Sequence, residues 1–178
     1  EIGMNHPGEI GPLSRLARPD VAVITTVAAV HMEAFDGVAQ IAQAKAEIFE
    51  GLTPDGTAVL NTDIETAGIL RAAAAKATQN IVTFGTSPDA DFRLDSAKVV
   101  GTTTSIRATL PDGEVLFKLS APGRHLAMNA MAVLAAVGAV DADTAVAMLD
   151  PCAWQGPDRR GAAVKVGRET GRGWGGGW

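Results

Sequence analysis

The chain has 178 residues, of which 47% are hydrophobic and 20% are charged, and its formal net charge is −5. This length and apolar content suit one medium-sized domain with a sizeable core and exclude a disordered chain. The net negative charge argues against a nucleic-acid-binding protein, which needs a basic face to neutralise phosphates. A lone cysteine, Cys152, excludes an intrachain disulfide and fits a reducing cytoplasm, and no apolar run is long enough to span a bilayer.

The first half of the chain alternates β-branched runs with helical patterns. Buried strands are predicted over Val21–Thr26, Thr57–Leu60 and Asn80–Phe84. Helices are predicted over Ile10–Ala17, Gly37–Leu52 and Thr66–Ala77. Strands separated by helices at this spacing indicate βαβ units and a largely parallel sheet. Glu1, Ile2 and Gly3 are expected to be the tail of one further strand.

After Asp91 the pattern changes to polar and apolar alternation. Ile106–Leu110 and Val115–Leu119 flank Pro111-Asp112-Gly113, which predicts a β-hairpin with its apolar side chains on one face. Residues 91–100 are a candidate third antiparallel strand, and helices are predicted over residues 123–137 and 141–149. The predicted fold class is therefore α/β, with a largely parallel sheet flanked by helices and a small antiparallel subsheet.

Polar residues follow three of the predicted strands. Glu1, His31 and Asn61 lie at or just past strand ends, where open parallel sheets bind their ligands. A carboxylate and an imidazole brought together there suit a divalent cation. The alternative is that Glu1 is a solvated residue and His31 a helix-capping histidine.

Lys45 stands out because it falls within the apolar stripe of its predicted helix, four residues after Ile41 and three before Ile48. A lysine on an inward face is costly unless it meets a partner or loses its charge. A phosphate, a carboxylate or covalent modification of the neutral amine would each explain it. The alternative is a lysine at the edge of the stripe whose ammonium reaches solvent.

Pro122-Gly123-Arg124-His125 leads into a predicted helix that also carries Asn129. Arg124 and His125 near a helix start could meet a phosphate or a base, and the alternative is an ordinary junction between a loop and a helix. The sequence contains neither GxxxxGK[ST] nor GxGxxG after a strand, so no phosphate-cradling loop is predicted within it.

Four segments follow one another along the chain: EIGMNHPGEI at 1–10, VITTVAAVHMEAFDGVAQIAQAKAEIF at 23–49, VLNTD at 59–63 and GRHLAMNAMAVLAA at 123–136. In this combination the chain resembles the ATP-dependent Mur ligases of peptidoglycan synthesis. The resemblance implies that residues 1–150 are the central ATP-binding domain without its first strand and phosphate loop. Residues 151–178 would be a poorly ordered linker or the start of a C-terminal domain.

The resemblance also implies roles for individual residues. Glu1 and His31 would bind Mg²⁺, and Lys45 would react with CO₂ to give a carbamate that helps to hold the metal. Lys45 and His31 are the implied catalytic residues. Contacts with the nucleotide are implied for His125, Asn129, Asn61 and Arg160, with Arg159 as the alternative to Arg160. Leu126 replaces the asparagine that the family usually has after this histidine.

The implied reaction consumes ATP and joins D-alanyl-D-alanine to UDP-N-acetylmuramoyl-tripeptide through an acyl phosphate. We expect a monomeric cytoplasmic enzyme without nucleic-acid or membrane partners, and we expect the 178-residue chain to be inactive alone. The alternatives are another Mur or folylpolyglutamate-type ligase, or a truncated remnant without enzymatic activity.

Overall fold

The computed structural model describes residues 1–29 and 33–140. Its strands are β1 (Val21–Ile24), β2 (Thr57–Asn61), β3 (Asn80–Gly85), β4 (Phe92–Val100), β5 (Thr103–Leu110) and β6 (Gly113–Leu119). Its helices are α1 (Ile10–Ala17), α2 (Val38–Ala46), α3 (Ala67–Ala77) and α4 (Arg124–Gly138), and a 3₁₀ helix, η1 (Glu47–Gly51), follows α2 directly. The strands form one six-stranded sheet in the order β1-β2-β3-β4-β5-β6.

The sheet has a parallel half and an antiparallel half. β1, β2 and β3 run parallel, with Val21 beside Thr57 and Thr57 beside Asn80. β5 pairs antiparallel with both β4 and β6, which places Ile106 opposite Phe117. This mixed sheet confirms the predicted fold class.

β4 joins the two halves in a way that extends the sheet. It pairs parallel with β3 only through its first residues, Phe92 beside Phe84 and Arg93 beside Gly85. Because those partners are the last residues of β3, the rest of β4 continues past the carboxyl ends of the parallel strands. The antiparallel half therefore projects beyond the edge at which open parallel sheets bind ligands.

Helices cover both faces of the parallel half, as expected for buried parallel strands. On one face, α4 packs through Ala127, Met131 and other residues against a core that includes Val59 and Phe84. On the other face, α2 and α3 pack against a core that includes the neighbouring side chain Leu60. The alternation of strand side chains between faces thus separates the two cores. No described helix has the length and apolar character needed to cross a membrane.

Two predicted elements differ in kind from the structure, and β1 ends at Ile24, two residues before its predicted end. The helix predicted over Gly37–Leu52 is α2 followed by η1, and the tighter 3₁₀ turns bring Gly51 against the backbone of Ser14 in α1. Glu1, Ile2 and Gly3 are not part of a strand. Met4, which follows them, packs against a small apolar cluster that includes Ile41 and Ala44 of α2. The helix predicted over 141–149 and the segment 151–178 lie outside the described residues.

Candidate functional site

Asn61 ties together the carboxyl ends of β1 and β2. It is the last residue of β2 and is only 4% exposed. Its Nδ2 donates to the carbonyl of Thr25, 2.7 Å away, and its Oδ1 accepts from the backbone N–H of Asp63 at 2.8 Å. The side-chain amide thus fixes the backbone on both sides of this edge of the sheet.

Asp63 holds the backbone just after the end of β3 in a similar way. Its carboxylate accepts from the backbone N–H of Thr86 at 2.7 Å and from the Thr86 hydroxyl at 2.9 Å. The approach is close, since a Cβ at Gly85 would lie 2.5 Å from Oδ1 of Asp63. The loops that leave β2 and β3 are therefore held together.

A small apolar cluster brings three segments of the chain to one place. Ile41 and Ala44 of α2 and the buried Phe35 form its centre, and Met4 and Val27 pack against it. Met4 lies in the segment that begins with Glu1, and Val27 lies in the loop after β1 that leads toward His31. The cluster thus joins the segment that begins with Glu1 and the start of the loop after β1 to the helix that carries Lys45.

Lys45 lies in the last turn of α2, directly after Ala44 and four residues after Ile41. It is half-buried, as the apolar stripe predicts, and among the described residues it makes no hydrogen bond or ion pair. Neutralisation, modification or a ligand near its amine would each compensate for the partial burial. The described residues supply no carboxylate that does so.

Residues 5–9 form a loop before α1, and carboxylates hold this loop. Glu9 accepts from the backbone N–H groups of Asn5, at 2.7 Å, and His6, at 3.3 Å. These hydrogen bonds, with a smaller contribution from the His6 ring, hold the pKa of Glu9 below its usual value. Glu47 of η1 accepts from Gly8 and Gly11 in the same way, which ties the loop and the N-terminus of α1 to the end of α2.

His125 and Asn129 lie on α4, in the layer opposite to Lys45. Both are exposed, and among the described residues no hydrogen bond links them to Asn61 or Lys45. The start of α4 is fixed by Thr104 of β5, whose hydroxyl accepts from the backbone N–H of Gly123 at 3.1 Å. The His125 ring folds back over Gly123, where a Cβ would lie 2.7 Å from its Cε1.

The remaining predicted site residues, His31, Arg159 and Arg160, lie outside the described residues. Within residues 1–29 and 33–140, no three His, Cys, Asp or Glu side chains converge as a metal-binding cluster. Glu1 is exposed. A metal site built on Glu1 and Lys45 therefore remains a prediction.

The sequence analysis missed Glu9, Glu47 and Asp63, which position the loops of this edge. Glu47 could not have been found from spacing, because its partners Gly8 and Gly11 lie 39 and 36 residues away along the chain. Asp63 had a usable signal, since it closely follows a buried strand.

The fold and the position of these loops define an α/β domain of the class that binds ligands at the carboxyl edge of a parallel sheet. Residues 1–137 match the family described as the Mur ligase middle domain. The chain belongs to this family.

Individual relatives agree with that assignment. The UDP-N-acetylmuramoyl-tripeptide–D-alanyl-D-alanine ligase of Escherichia coli K12 is 36% identical over 138 residues, which are 76% of this chain and 30% of that protein. MurF from Acinetobacter baumannii superposes with a TM-score of 0.74 at 28% identity, over 80% of this chain and 31% of that one. MurF from Thermotoga maritima in complex with ADP gives a TM-score of 0.69 at 26% identity, over 78% and 32%. The chain thus spans less than a third of the length of these relatives.

Proposed function

We propose that the protein containing this chain is an ATP-dependent ligase that joins D-alanyl-D-alanine to UDP-N-acetylmuramoyl-tripeptide. The observation that carries the proposal is the 36% identity to the Escherichia coli ligase of that name over 138 residues. Because the chain spans 30% of that relative, the activity would belong to a longer protein of which this domain is one part. The same reasoning proposes a monomeric cytoplasmic enzyme.

The proposed chemistry is phosphoryl transfer followed by amide formation. The terminal carboxylate of the tripeptide attacks the γ-phosphorus of ATP, and the bond to the bridging oxygen breaks to release ADP. The amine of D-alanyl-D-alanine then attacks the carbonyl carbon of the acyl phosphate. Inorganic phosphate leaves as the amide forms, and the amine loses a proton. The main obstacle is the repulsion between the anionic carboxylate and the anionic triphosphate.

The three candidate metal ligands fit a hard divalent cation only if Lys45 is modified. Glu1 offers carboxylate oxygens, which Mg²⁺ prefers, whereas the ammonium of an unmodified Lys45 repels a cation. As a carbamate, Lys45 would add oxygen donors, and His31 would complete the set. Glu1, His31 and Lys45 would then hold Mg²⁺, which would offset the charge on the reacting phosphates.

The half-buried position of Lys45 favours this modification. Lys45 is half-buried, and among the described residues no carboxylate pairs with its amine, so none of them competes with CO₂ for it. The amine nitrogen forms a bond to the carbon of CO₂ and releases one proton, which leaves a carbamate anion. The helix would thereby present an acidic group at a position where the sequence has a basic one.

For the nucleotide we propose His125, Asn129, Asn61 and Arg160. The Thermotoga maritima relative was solved with ADP, which supports a nucleotide site in this family. His125 and Asn129 are exposed, so both are accessible to a ligand. The side chain of Asn61 is occupied by Thr25 and Asp63, so its contribution would be to hold the backbone at the edge of the site.

Substitution of Lys45 tests the proposal. In the full-length protein, Lys45→Ala should lower ATP-dependent ligation by about a hundredfold or more, since an electrostatic contribution to phosphoryl transfer is lost. A short-chain carboxylic acid should partly restore the rate by filling the place of the carbamate. Phosphate release is measured against a panel of acceptor amines, with the exposed Lys76→Ala as the matched control. Wild-type turnover in Lys45→Ala would rule out the carbamate. A preference of the wild-type enzyme for another acceptor amine would show that D-alanyl-D-alanine is not its substrate.

A further inference from the structure

The segment that begins with Glu1 is attached to the rest of the domain at two levels. Met4 packs on the apolar cluster of α2, and Glu47 binds the loop a few residues later. Both attachments are made to the helical segment that carries Lys45. The position of the Glu1 segment relative to Lys45 is therefore set by contacts within this chain.

Glu47 makes the polar attachment with both carboxylate oxygens. Oε1 accepts from the N–H of Gly8 at 2.8 Å, and Oε2 accepts from the N–H of Gly11 at 3.0 Å. Gly11 lies in the first turn of α1, where backbone N–H groups have no partner within the helix. A negative charge is favourable there because it faces the positive end of the helix dipole. Gly8 has a φ of +84°, a conformation that glycine adopts readily.

Glu47 also lies close to Lys45 along the chain. Lys45 is in the last turn of α2, and Glu47 is the first residue of η1, two positions later. One short stretch of backbone thus carries the candidate carbamate and the anchor of the loop. Movement of the loop relative to Lys45 requires that the hydrogen bonds of Glu47 break.

We propose that Glu47 is a positioning residue for the metal site: it holds the segment that carries Glu1 at a fixed distance from Lys45. This inference rests on the proposed function, because the metal site itself is part of that proposal. Glu47 acts through the loop and touches neither metal nor substrate. Its carboxylate accepts from two N–H groups at once, and the hydrogen bond from Gly11 is partly buried.

Replacement by glutamine tests this role with little change of shape. The amide of Glu47→Gln has one acceptor oxygen, so its NH₂ group would face an N–H donor. Glu50→Gln is the matched control, because Glu50 lies on the same 3₁₀ helix and pairs with Arg15 of α1 without binding the loop. Both variants alter the contact between α1 and η1, but only the first releases Gly8 and Gly11.

The first measurement is hydrogen–deuterium exchange on the full-length protein. Glu47→Gln should exchange about tenfold faster in peptides that cover residues 5–11, since a hydrogen bond to a charged group is lost. Peptides from α3 should exchange at the wild-type rate, which shows that the variant is folded. Glu50→Gln should leave residues 5–11 unchanged. Unchanged exchange at residues 5–11 in Glu47→Gln would overturn the anchoring.

The second measurement is Mn²⁺ binding to the same proteins, followed by electron paramagnetic resonance. Glu47→Gln should bind Mn²⁺ about tenfold more weakly, as expected when a group that orients a ligand is removed. Glu50→Gln should retain wild-type affinity. Glu47→Asp keeps the charge, but its side chain is too short to reach both N–H groups. It should therefore also weaken Mn²⁺ binding if Glu47 acts by fixing the position of the loop.

The outcomes separate this inference from the proposed function. If the wild-type protein does not bind Mn²⁺, the proposed metal site is wrong, and the positioning role falls with it. If the wild type binds Mn²⁺ and Glu47→Gln binds equally well with a loosened loop, only the role of Glu47 is overturned. If Glu47→Asp binds as tightly as wild type, Glu47 acts through its charge and the positional account is wrong.

Discussion

Gly51 lies at the point where η1 touches α1, and a single added methyl group should disrupt that contact. A Cβ at Gly51 would lie 2.1 Å from the carbonyl oxygen of Ser14, 2.2 Å from its carbonyl carbon and 2.4 Å from Oγ. Ser14 is fully buried, and its hydroxyl donates to the carbonyl of Ile48. The obstruction is therefore backbone that cannot rotate away, and one of the two elements must move.

The expected cost follows from this geometry. Overpacking of a rigid site costs about 1–3 kcal/mol, and the approach to backbone atoms places Gly51→Ala at the upper end, ~3 kcal/mol. For a chain of this size, that corresponds to a fall in Tm of about 6–12 °C. Gly68→Ala is the matched control, because Gly68 lies in α3 with nothing within 4 Å of an added Cβ. It should stabilise the chain by about 0.5–1 kcal/mol.

The assay is urea unfolding of the wild type and both variants, followed by far-ultraviolet circular dichroism. Equal dependence of the unfolding free energy on urea concentration in the three proteins would show that their free energies of unfolding can be compared directly. A Gly51→Ala variant within about 0.5 kcal/mol of wild type would refute the reasoning, since surface changes of no structural consequence fall within that range.

Two further predictions concern polar groups. Burial acts to raise the pKa of Asp95. Hydrogen bonds from Arg93 and Thr109 and the charges of Arg93 and Arg107 together outweigh this effect, so the pKa lies below its usual value. Asp95 thus stabilises the fold above its unfolded pKa and loses that contribution as the pH falls through its folded pKa, so unfolding free energies between pH 7 and pH 3 should depend less on pH in Asp95→Asn. Asn61→Asp replaces the group that donates to Thr25 by an acceptor, which should lower the unfolding free energy by about 1–3 kcal/mol, and equal stability would contradict the importance of that hydrogen bond.

The sequence predicted the regular elements well where local signals agree. α1 was predicted with its observed bounds, Ile10–Ala17, because Arg18-Pro19 stops a helix there. β2 and β3 each extend one residue beyond their predicted ends. The apolar face of the hairpin was also correct, since Ile106, Ala108 and Leu110 are buried. These features depend on periodicity and on turn residues, which are local properties.

The contacts that build the candidate site are not local, and the sequence did not reveal them. Helical periodicity continues through Leu52, so the change from α2 to η1 is invisible in the pattern. It is imposed by the docking of α1, which brings Ser14 against Gly51. The anchoring of Gly8 by Glu47 likewise joins residues 39 apart. Sequence reasoning could place Lys45 within the apolar stripe of its helix, but it could not show which segments pack against that helix.

The projecting antiparallel half has a consequence for the order in which the sheet can form. β5 and β6 are joined by a tight turn, with Leu110 beside Gly113, so their pairing closes a very short loop. β1 meets β2 only after an intervening helix, with Val21 beside Thr57, and that pairing closes a much longer one. Closing the longer loop costs more chain entropy before any contact is gained. The antiparallel half therefore loses less chain entropy when its strands pair than the parallel half does.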